Sequence, residues 1–428
     1  MYTKKFVACI YLYREHAVRG LNDLSVVETD PVRLARFYSE NNADELIIFD
    51  MSANDEEHDK ALDIMKDICS VAEIDVSGAG NVKRMEDIKK ILYTGCKRAI
   101  LDYDRQSNID ITEEVSLKFG KDKILLSCSS EDILLKNKEL IEKYVSAVIF
   151  MNPHEAEEIS KSTELPFYIH ANQLALNKLL DIFSYDKVCG MTGNIVNENV
   201  KEIMSLKELC IQNNIAVERM VAAYNWSDFK LNNDGMVPVV VQDYRTLEVL
   251  MVAYMNEESY NQTIKTGKMT YYSRSRNELW LKGATSGHYQ YVKSLSADCD
   301  MDTILAKVSQ VGAACHTGAR SCFFNEIAKK DYEESENPLA VFEDVLNVIK
   351  DRKIHPKEGS YTNYLFDKGI DKILKKLGEE ATEIVIAAKN PNANEVKYEI
   401  SDFLYHMMVL MVEKNVSWEE ITTELANR

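Results

Sequence analysis

Short apolar runs alternate with helical patterns over about the first 220 residues of the chain. The runs are rich in β-branched and aromatic residues, and there are eight of them: FVACIYLY, ELIIFDM, EIDVSGAG, KRAILDY, ILLSCSS, VSAVIFM, PFYIHAN and KVCGMTG. Stretches such as DPVRLARFYSENNA and RMEDIKKILYTGC separate them and carry apolar residues at helical spacing. Repeated strand–helix units predict a parallel sheet, most simply a closed (β/α)8 barrel over residues 1–222.

The pattern changes after a polar, Asn-rich stretch between Asn225 and Val237. The segments VPVVVQD, EVLMVAYM, MTYYSRS, ELWLKG and HYQYVKSLSADCD predict strands, and so a strand-rich α+β domain over residues 226–325. A polar stretch from Asn325 to Pro338 is typical of a linker. Beyond it, DKILKKLGEEATEIVIAAKN and NEVKYEISDFLYHMMVLMVEK predict an all-helical domain over residues 338–428.

Composition places the chain among soluble globular proteins of several domains. Its 428 residues are 46% hydrophobic and 28% charged, and no apolar run approaches the roughly 20 residues of a membrane helix. The N-terminus lacks a signal-peptide pattern, and the nine scattered cysteines suit reduced thiols, so a cytoplasmic location is expected. The formal net charge of −18 disfavours nucleic acid as a partner. An anionic substrate therefore needs local positive charge, which carboxylate-bound metal ions supply.

A cluster of cysteines lies in the stretch SADCDMDTILAKVSQVGAACHTGARSCFF. Cys299, Cys315 and Cys322 share this window, and three thiolates suit a catalytic zinc ion that keeps a fourth position for water. The alternative is that each is a buried core cysteine, which is the commoner role of a single cysteine. Their clustering favours zinc.

Three aspartates alternate with other residues around the first of these cysteines. On a strand, the spacing of Asp298, Asp300 and Asp302 points all three carboxylates to one face, with Cys299 on the other. Hard oxygen ligands suit magnesium, so the stretch is predicted to serve a second metal. The alternative is an Asp-rich solvated turn.

The segment from about Asp228 to Phe324 closely resembles phosphoribosyl-AMP cyclohydrolase, the histidine-pathway enzyme that hydrolyses the adenine ring between N1 and C6. The blocks VQDYRTLEVLMVAYMN, YYSRSR, LWLKGATSGH, DCDMD and CHTGARSCF carry the match in order. The resemblance implies that the three cysteines bind zinc, that the three aspartates bind magnesium, and that a homodimer completes the zinc site. It also implies proton transfer by His288, whereas Ala284 stands where many members have Glu.

Basic side chains near this segment are candidate partners for substrate phosphates. They are Arg274, Arg276 and Lys282. Exposed basic residues on strands are more often simply solvated, and that alternative stays open. The chemistry itself follows from the residue types, because zinc-bound water is a nucleophile near neutral pH and a nearby base moves its proton.

Paired carboxylates mark the third segment. Glu380 and Glu383 are three residues apart, as are Glu399 and Asp402, so each pair shares a helix face. The second pair, with His406, forms a polar stripe on an otherwise apolar helix. Unpaired buried charge is costly, which predicts metal ions between the helices, although one ExxE motif alone usually marks a solvated face.

Residues from about Pro338 to Arg428 resemble phosphoribosyl-ATP pyrophosphohydrolase, through GSYTNYLFDKGIDKILKKLGEEATE and YEISDFLYHMMVLM. The resemblance implies that the two carboxylate pairs hold magnesium on the triphosphate and orient water for attack between the α and β phosphates. Glu383 and Glu379 take catalytic roles in this reading. The resemblance also gives candidate substrate contacts: Ser360, Tyr361, Thr362 and Lys376. At least two of Lys372, Lys375 and Lys376 are expected on the solvent side of their helix.

The N-terminal segment resembles, more distantly, the histidine-pathway barrels that include the imidazole-glycerol-phosphate synthase cyclase subunit, through ADELIIFDMSA and VSGAGNVKRMEDIKKILYTGCKRAIL. Gly78 and Gly80 fall at the position of that family's phosphate-binding glycines. Tyr11 stands where the family has an acidic catalytic residue, and the fifth strand lacks the second aspartate. We therefore expect a barrel without the cyclase or isomerase reaction, in which Asp50 and Asp102 are the remaining candidates for catalysis.

Together these features predict a bifunctional hydrolase that converts phosphoribosyl-ATP to phosphoribosyl-AMP and then opens the adenine ring. Two alternatives remain at this stage. One is a nucleotide-binding scaffold with a structural zinc site, and the other is a house-cleaning pyrophosphatase of ordinary nucleoside triphosphates.

Overall fold

A computed structural model describes residues 2–328, 340–390 and 393–426. The chain divides into two compact units, Met1–Glu326 and Ile327–Arg428. The predicted linker, Asn325 to Pro338, lies outside the described residues from residue 329 onward. Within the described ranges, no helix is long and apolar enough to cross a membrane.

The first unit begins with a closed parallel barrel, as predicted. Its strands are β1 Lys5–Tyr13, β4 Glu45–Asp50, β5 Asp75–Ala79, β6 Arg98–Asp102, β7 Ile124–Cys128, β8 Ala147–Phe150, β9 Phe167–His170 and β10 Val188–Thr192. They correspond to the eight apolar runs, and each pairs in parallel with the next. The barrel closes because β10 also pairs with β1, with Lys5 opposite Gly190.

Helices surround the barrel and bury one core against the strands. These helices are α1 Pro31–Glu40, α2 Asp55–Val71, α3 Met85–Tyr93, α4 Gln106–Asp110, α5 Thr112–Phe119, α6 Glu131–Lys136, α7 Lys138–Tyr144, α8 Ala156–Ser162, α9 Leu176–Ser184, α10 Asn194–Asn197 and α11 Ile203–Gln212. A second core fills the barrel, and Tyr11, Phe49 and Tyr168 are its largest members.

A hairpin that the sequence pattern did not indicate follows β1. Strands β2 (His16–Gly20) and β3 (Asp23–Glu28) extend the sheet in antiparallel fashion. The turn between β1 and β2 consists of Arg14 and Glu15, with φ of 47° and 67°. Positive φ at both central residues matches the twist of a hairpin, but Asn and Gly are the usual residues there. A turn built from Arg and Glu therefore gives no sequence signal.

The middle segment contains β11 Val237–Asp243, β12 Val249–Met255, α12 Glu257–Thr266, β13 Thr270–Ser273, β14 Glu278–Leu281, β15 Gln290–Ala297 and β16 Ile304–Gln310. Four of the strands form a sheet of order β12-β11-β16-β15, and β13 and β14 form a separate hairpin. The sequence pattern predicted five of these strands and missed β16, which pairs with both β11 and β15.

The predicted strand through the aspartates was wrong. Strand β15 ends at Ala297, and Asp298 to Thr303 form the turn that leads into β16. The Asp298 carboxylate accepts hydrogen bonds from the backbone N–H groups of Asp302 and Thr303, at 3.0 and 3.1 Å, and Met301 has φ of 62°. Aspartate side chains that bond to nearby backbone N–H groups favour turns over strands.

The second unit is helical in its described part, as predicted. Its helices are α13 Ala340–Ile354, α14 Tyr361–Lys368, α15 Ile370–Ala387, α16 Ala393–Lys414 and α17 Trp418–Ala426. An apolar core that includes Leu346, Leu365 and Val409 holds them together.

Polar contacts join the barrel to the middle segment, and several of them meet at one barrel carboxylate. Glu73, which follows α2, accepts hydrogen bonds from the Tyr244 hydroxyl and the Lys293 ammonium group, and Arg245 lies 3.6 Å away. On the same side, Lys268 donates to Asn41 at 3.0 Å. Lys293 belongs to β15, so the barrel contacts the strand that leads into the aspartate turn.

A buried histidine lies inside the barrel near the carboxyl ends of the strands. The Tyr11 hydroxyl is 2.7 Å from Nε2 of His170, and the Phe49 ring stacks on Tyr11 at 5.3 Å. Burial lowers the pKa of His170 to about 4, because the charged imidazolium is disfavoured away from water. Its neutral form therefore stabilises the fold above the unfolded-state pKa, and this contribution is lost as the pH falls towards 4.

We expect the first unit to lose about 2 kcal/mol of unfolding free energy between about pH 7 and pH 5 through this histidine alone. Urea titrations at both pH values measure the loss. The variant His170→Gln, which cannot titrate, is expected to show a smaller pH dependence than the wild type. His154→Gln removes an exposed histidine of the same barrel and should behave as the wild type does. Equal pH dependence in all three proteins would contradict the expectation.

Candidate active sites

Two of the three clustered cysteines meet in the loop after β16. Cys315 is 8% exposed, and the Thr317 hydroxyl donates to Cys315 Sγ at 3.1 Å. Cys322 follows in the same loop, and the two thiols interact electrostatically. Hydrogen bonds from the Thr317 side chain and backbone lower the pKa of Cys315. Burial, together with the neighbouring Cys315 thiol, raises the pKa of Cys322. In this pair, one thiolate therefore forms readily beside a second thiol.

Lys282 lies beside this pair and is not solvated. It directly follows β14, is 6% exposed, and interacts electrostatically with both Cys315 and Cys322. Burial lowers the pKa of its ammonium group. The expectation that basic residues here are more often solvated therefore does not apply to Lys282.

His288 lies against the backbone that begins the cysteine loop. A Cβ placed on Gly312 would come within 2.6 Å of the His288 ring, so a larger residue here would force the ring to move. Gly312 also has φ of 61°, a conformation that glycine adopts without strain. The histidine ring therefore lies against Gly312, which precedes Cys315 by three residues in the chain.

Asp298, Asp300 and Asp302 converge even though they are in a turn. A carboxylate oxygen from each lies within 4.8 Å of the other two, and all three side chains are exposed. Lys230 contacts Asp300 at 3.3 Å. The carboxylates meet because the chain reverses at Met301, not because of strand alternation.

Cys299 is exposed in the same turn. Among the described residues, the groups that bring three potential metal ligands within 4.8 Å are two sets of carboxylates. The structure of one chain therefore does not bring Cys299 together with Cys315 and Cys322.

Arg274 and Arg276 lie in the exposed turn between β13 and β14. The Arg274 guanidinium lies over the Tyr254 ring at 3.8 Å, and Arg276 pairs with Glu278 at 3.3 Å. Both head groups remain open to solvent, on the hairpin that leads to Lys282.

The second carboxylate set lies between α15 and α16. Oxygens of Glu380, Glu383 and Glu399 lie within 4.8 Å of one another, with Glu380 buried and Glu383 exposed. Partial burial and the charges of Glu383, Glu380 and Asp402 raise the pKa of Glu399. Mutual repulsion of this kind is relieved by a bound cation.

Asp402 is outside this set of three and is exposed in the single chain. The polar stripe of Glu399, Asp402 and His406 on an apolar helix predicted buried carboxylates, and for Asp402 this prediction was wrong. Burial depends on what else packs on a helix face, which the spacing of residues does not show.

A hydrogen-bonded network adjoins Glu380. The His406 Nδ1 donates to the Asp402 carbonyl oxygen at 2.8 Å, so its Nε2 accepts from the Tyr361 hydroxyl at 3.1 Å. Lys376 contacts Glu379 at 3.0 Å and Glu380 at 3.3 Å. The hydrogen bond to Glu379 and the neighbouring carboxylates raise the pKa of Lys376. Tyr361, Lys376 and Glu379 thus lie together at the carboxylate set.

Ser360 and Thr362, the other candidate substrate contacts of this unit, form hydrogen bonds within the protein. The Ser360 side chain caps α14 by accepting from the Asn363 N–H, and the Thr362 hydroxyl contacts the Tyr405 hydroxyl at 2.7 Å. Lys375 is exposed and pairs with Glu379 at 3.5 Å, as expected of a lysine on the solvent side.

Asp50 and Asp102, the remaining candidates for catalysis in the barrel, lie in different environments. Burial acts to raise the pKa of Asp50, but hydrogen bonds from His58, Ser52 and Asn81 lower it overall. The pKa of Asp102 is raised by burial, and Arg105 contacts it at 3.1 Å. A Cβ on Gly80 would lie 2.1 Å from the Asp50 carbonyl oxygen, so this glycine serves close packing of the backbone.

Sequence reasoning missed two residues that shape the cysteine site. Thr317 was unremarked within CHTGARSC, although a hydroxyl two residues from a candidate ligand is a usable signal. Gly312 precedes the motif, and its role becomes visible only when the histidine lies against it.

Comparison with known proteins agrees with the three segments. Family models match residues 251–324 as phosphoribosyl-AMP cyclohydrolase, 342–428 as phosphoribosyl-ATP pyrophosphohydrolase and 5–160 as histidine biosynthesis protein. The chain is 52% identical over 209 residues to the histidine biosynthesis bifunctional protein HisIE of Thermoanaerobacter pseudethanolicus, covering 46% of this chain and 97% of that protein.

Other relatives give the same result. The HisIE protein of Caldanaerobacter subterraneus subsp. tengcongensis is 52% identical over 201 residues, 47% of this chain and 96% of its own length. The Bacillus subtilis HisIE protein is 45% identical over 201 residues, 47% of this chain and 95% of its own length. Because nearly the whole length of these relatives is matched, this chain belongs to the family of bifunctional phosphoribosyl-AMP cyclohydrolase and phosphoribosyl-ATP pyrophosphohydrolase proteins of histidine biosynthesis.

Proposed function

We propose that residues 226–325 hydrolyse phosphoribosyl-AMP between N1 and C6, and that residues 338–428 form this substrate by releasing pyrophosphate from phosphoribosyl-ATP. Residues 1–222 then form a barrel domain without the cyclase or isomerase reaction. The observation that carries the ring-opening reaction is that Cys315 and Lys282 are both buried, and that each interacts with Cys322. This arrangement combines soft metal ligands with a cation suited to a phosphorylated substrate.

The residues fit a zinc ion. Two interacting thiols, of which Cys315 has a lowered pKa, are donors that zinc prefers. When bound, zinc supplies a water molecule whose pKa lies near neutrality. The chain's own groups then position the substrate: Lys282 and the open head groups of Arg274 and Arg276 receive phosphate oxygens, and His288 exchanges a proton with the reacting water or ring nitrogen.

Both carboxylate sets fit magnesium. Each brings oxygens from three side chains within 4.8 Å, and magnesium prefers oxygen ligands. When bound, magnesium offsets the charge of substrate phosphates. In the helical unit we propose Glu380, Glu383, Glu399 and Asp402 as ligands and Glu379 as a group that orients water. Lys376 and Tyr361 adjoin the set and are positioned to contact the triphosphate.

The position of Cys299 supports a site completed by two chains. It is exposed and not grouped with Cys315 and Cys322 in one chain, so we propose that Cys299 of a second copy supplies the third zinc ligand. A homodimer with two shared sites follows from two-fold symmetry.

Mixed dimers test the shared site. Cys299→Ser and Cys315→Ser chains are each expected to lack ring-opening activity. A mixed dimer retains one intact site of two, so random mixing should restore about a quarter of wild-type activity. As a control, Cys315→Ser mixed with Cys322→Ser leaves every site damaged and should restore none. Failure of verified Cys299→Ser and Cys315→Ser heterodimers to open the ring would contradict the shared site.

A further inference from the structure

A cavity of about 390 Å³ lies between the barrel and the middle segment, inside the first compact unit. The barrel contributes Asn41, Lys201 and Ser205, and the middle segment contributes Thr266, Lys268 and Leu281. Its volume is within the range of small-molecule sites. None of the residues assigned above to catalysis, substrate binding or metal binding lines it.

The charge of the cavity wall is opposite to that of the chain. The chain has a formal net charge of −18, yet the wall contains Lys201 and Lys268 and no Asp or Glu. Among the described residues, neither lysine has a carboxylate within 4.0 Å. The nearest acidic groups, Glu40 and Glu202, act on Lys268 only through longer-range attraction.

Lys268 has hydrogen-bonding capacity to spare. An ammonium group carries three donors, and the described residues give it one acceptor, Asn41 Oδ1 at 3.0 Å. The rings of Tyr289 and Tyr291 lie 5.4 and 5.7 Å away. Burial and the charge of Lys201 lower the pKa of Lys268, which shows that the two ammonium groups repel each other.

The remaining wall indicates the kind of ligand. Asn42, Ser205 and Thr270 offer polar side chains, whereas Met204, Leu279 and Leu281 form an apolar side. A phosphate dianion would neutralise both lysines and accept from their free donors, which a singly charged carboxylate cannot do. We propose that this cavity binds a phosphorylated small molecule of about the size of a sugar phosphate.

Binding here has a route to the ring-opening site. Leu279 and Leu281 of β14 face the cavity, and side chains alternate along a strand. Lys282 follows β14 and lies beside Cys315 and Cys322. A ligand in the cavity therefore contacts the strand that immediately precedes Lys282. Any effect on ring opening rests on the proposed cyclohydrolase reaction, whereas binding itself does not.

Calorimetric titration of the full-length, metal-loaded protein with ribose 5-phosphate tests the proposal, with ribose as the uncharged comparison. We expect the ribose 5-phosphate affinity of the wild type to fall roughly tenfold or more in Lys201→Met and in Lys268→Met. Lys178→Met, which removes an exposed barrel lysine away from the cavity, should bind as the wild type does. Retention of both catalytic activities without ligand would show that the variants are folded.

Two results would overturn the proposal. One is wild-type affinity in both lysine variants, which would place the ribose 5-phosphate in the catalytic sites. The other is the absence of ribose 5-phosphate binding to the wild type. Neither result depends on whether the ring-opening reaction is assigned correctly.

Discussion

Replacing Cys315 with serine is expected to lower the turnover of phosphoribosyl-AMP by more than about 100-fold, while pyrophosphate release from phosphoribosyl-ATP stays at the wild-type rate. In other enzymes, replacing a group that only hydrogen-bonds to a metal ligand lowers metal affinity or activity about 10- to 100-fold. Cys315 is proposed as a ligand itself, so a larger effect is expected. Serine keeps the volume of the side chain but not the thiolate that zinc prefers. The effect should therefore be confined to one of the two reactions.

The measurement follows the near-ultraviolet absorbance change on ring opening and, separately, pyrophosphate formation. Zinc content per chain should fall together with the first signal. Cys69→Ser is the matched control, because Cys69 is a partly exposed cysteine of the barrel, 3.7 Å from Cys96. If Cys315→Ser opens the ring at the wild-type rate, the cysteine loop is not the zinc site.

The second prediction concerns Glu383→Gln, which should lower pyrophosphate release by about 100-fold or more and leave ring opening unchanged. Glu383 contributes an oxygen to the set with Glu380 and Glu399, so its charge is part of the proposed magnesium site. The same charge helps to raise the pKa of Glu399. Removing it relieves repulsion, so the thermal stability of the metal-free protein should not decrease.

A loss of pyrophosphate release without a loss of thermal stability distinguishes a functional role of Glu383 from a structural one. A residue needed only for folding would lose stability and activity together, whereas Glu383→Gln is expected to lose activity alone. Glu358→Gln, an exposed carboxylate in the loop before α14, is the control and should affect neither. Pyrophosphate release at the wild-type rate in Glu383→Gln, at saturating magnesium, would contradict the assignment.

The local pattern of apolar residues predicted the strands and helices that repeat regularly along the chain. The eight barrel strands were identified because each is an apolar run bounded by a helical pattern. Strand β16 was missed although the burial of ILAKVSQ alternates as in a half-buried strand. The β2–β3 hairpin was missed because its first turn uses Arg14 and Glu15 in place of Asn and Gly. The candidate ligands were identified from residue type, but the turn at Met301 that brings the aspartates together was not.

The sequence by itself determined the order of a barrel, a strand-rich segment and a helical segment, and it identified the cysteines and carboxylates with metal-binding chemistry. These features depend on residue types and on spacings of a few residues, and both can be seen within a single stretch of sequence. Only the tertiary structure decided that Lys282 is buried beside Cys315, that Glu383 is exposed while Glu380 is not, and that Glu73 joins the barrel to β15. The cavity with Lys201 and Lys268 was likewise invisible, because its residues come from segments far apart in the chain. Burial and electrostatic environment are set by contacts across the fold, and a linear pattern does not contain them.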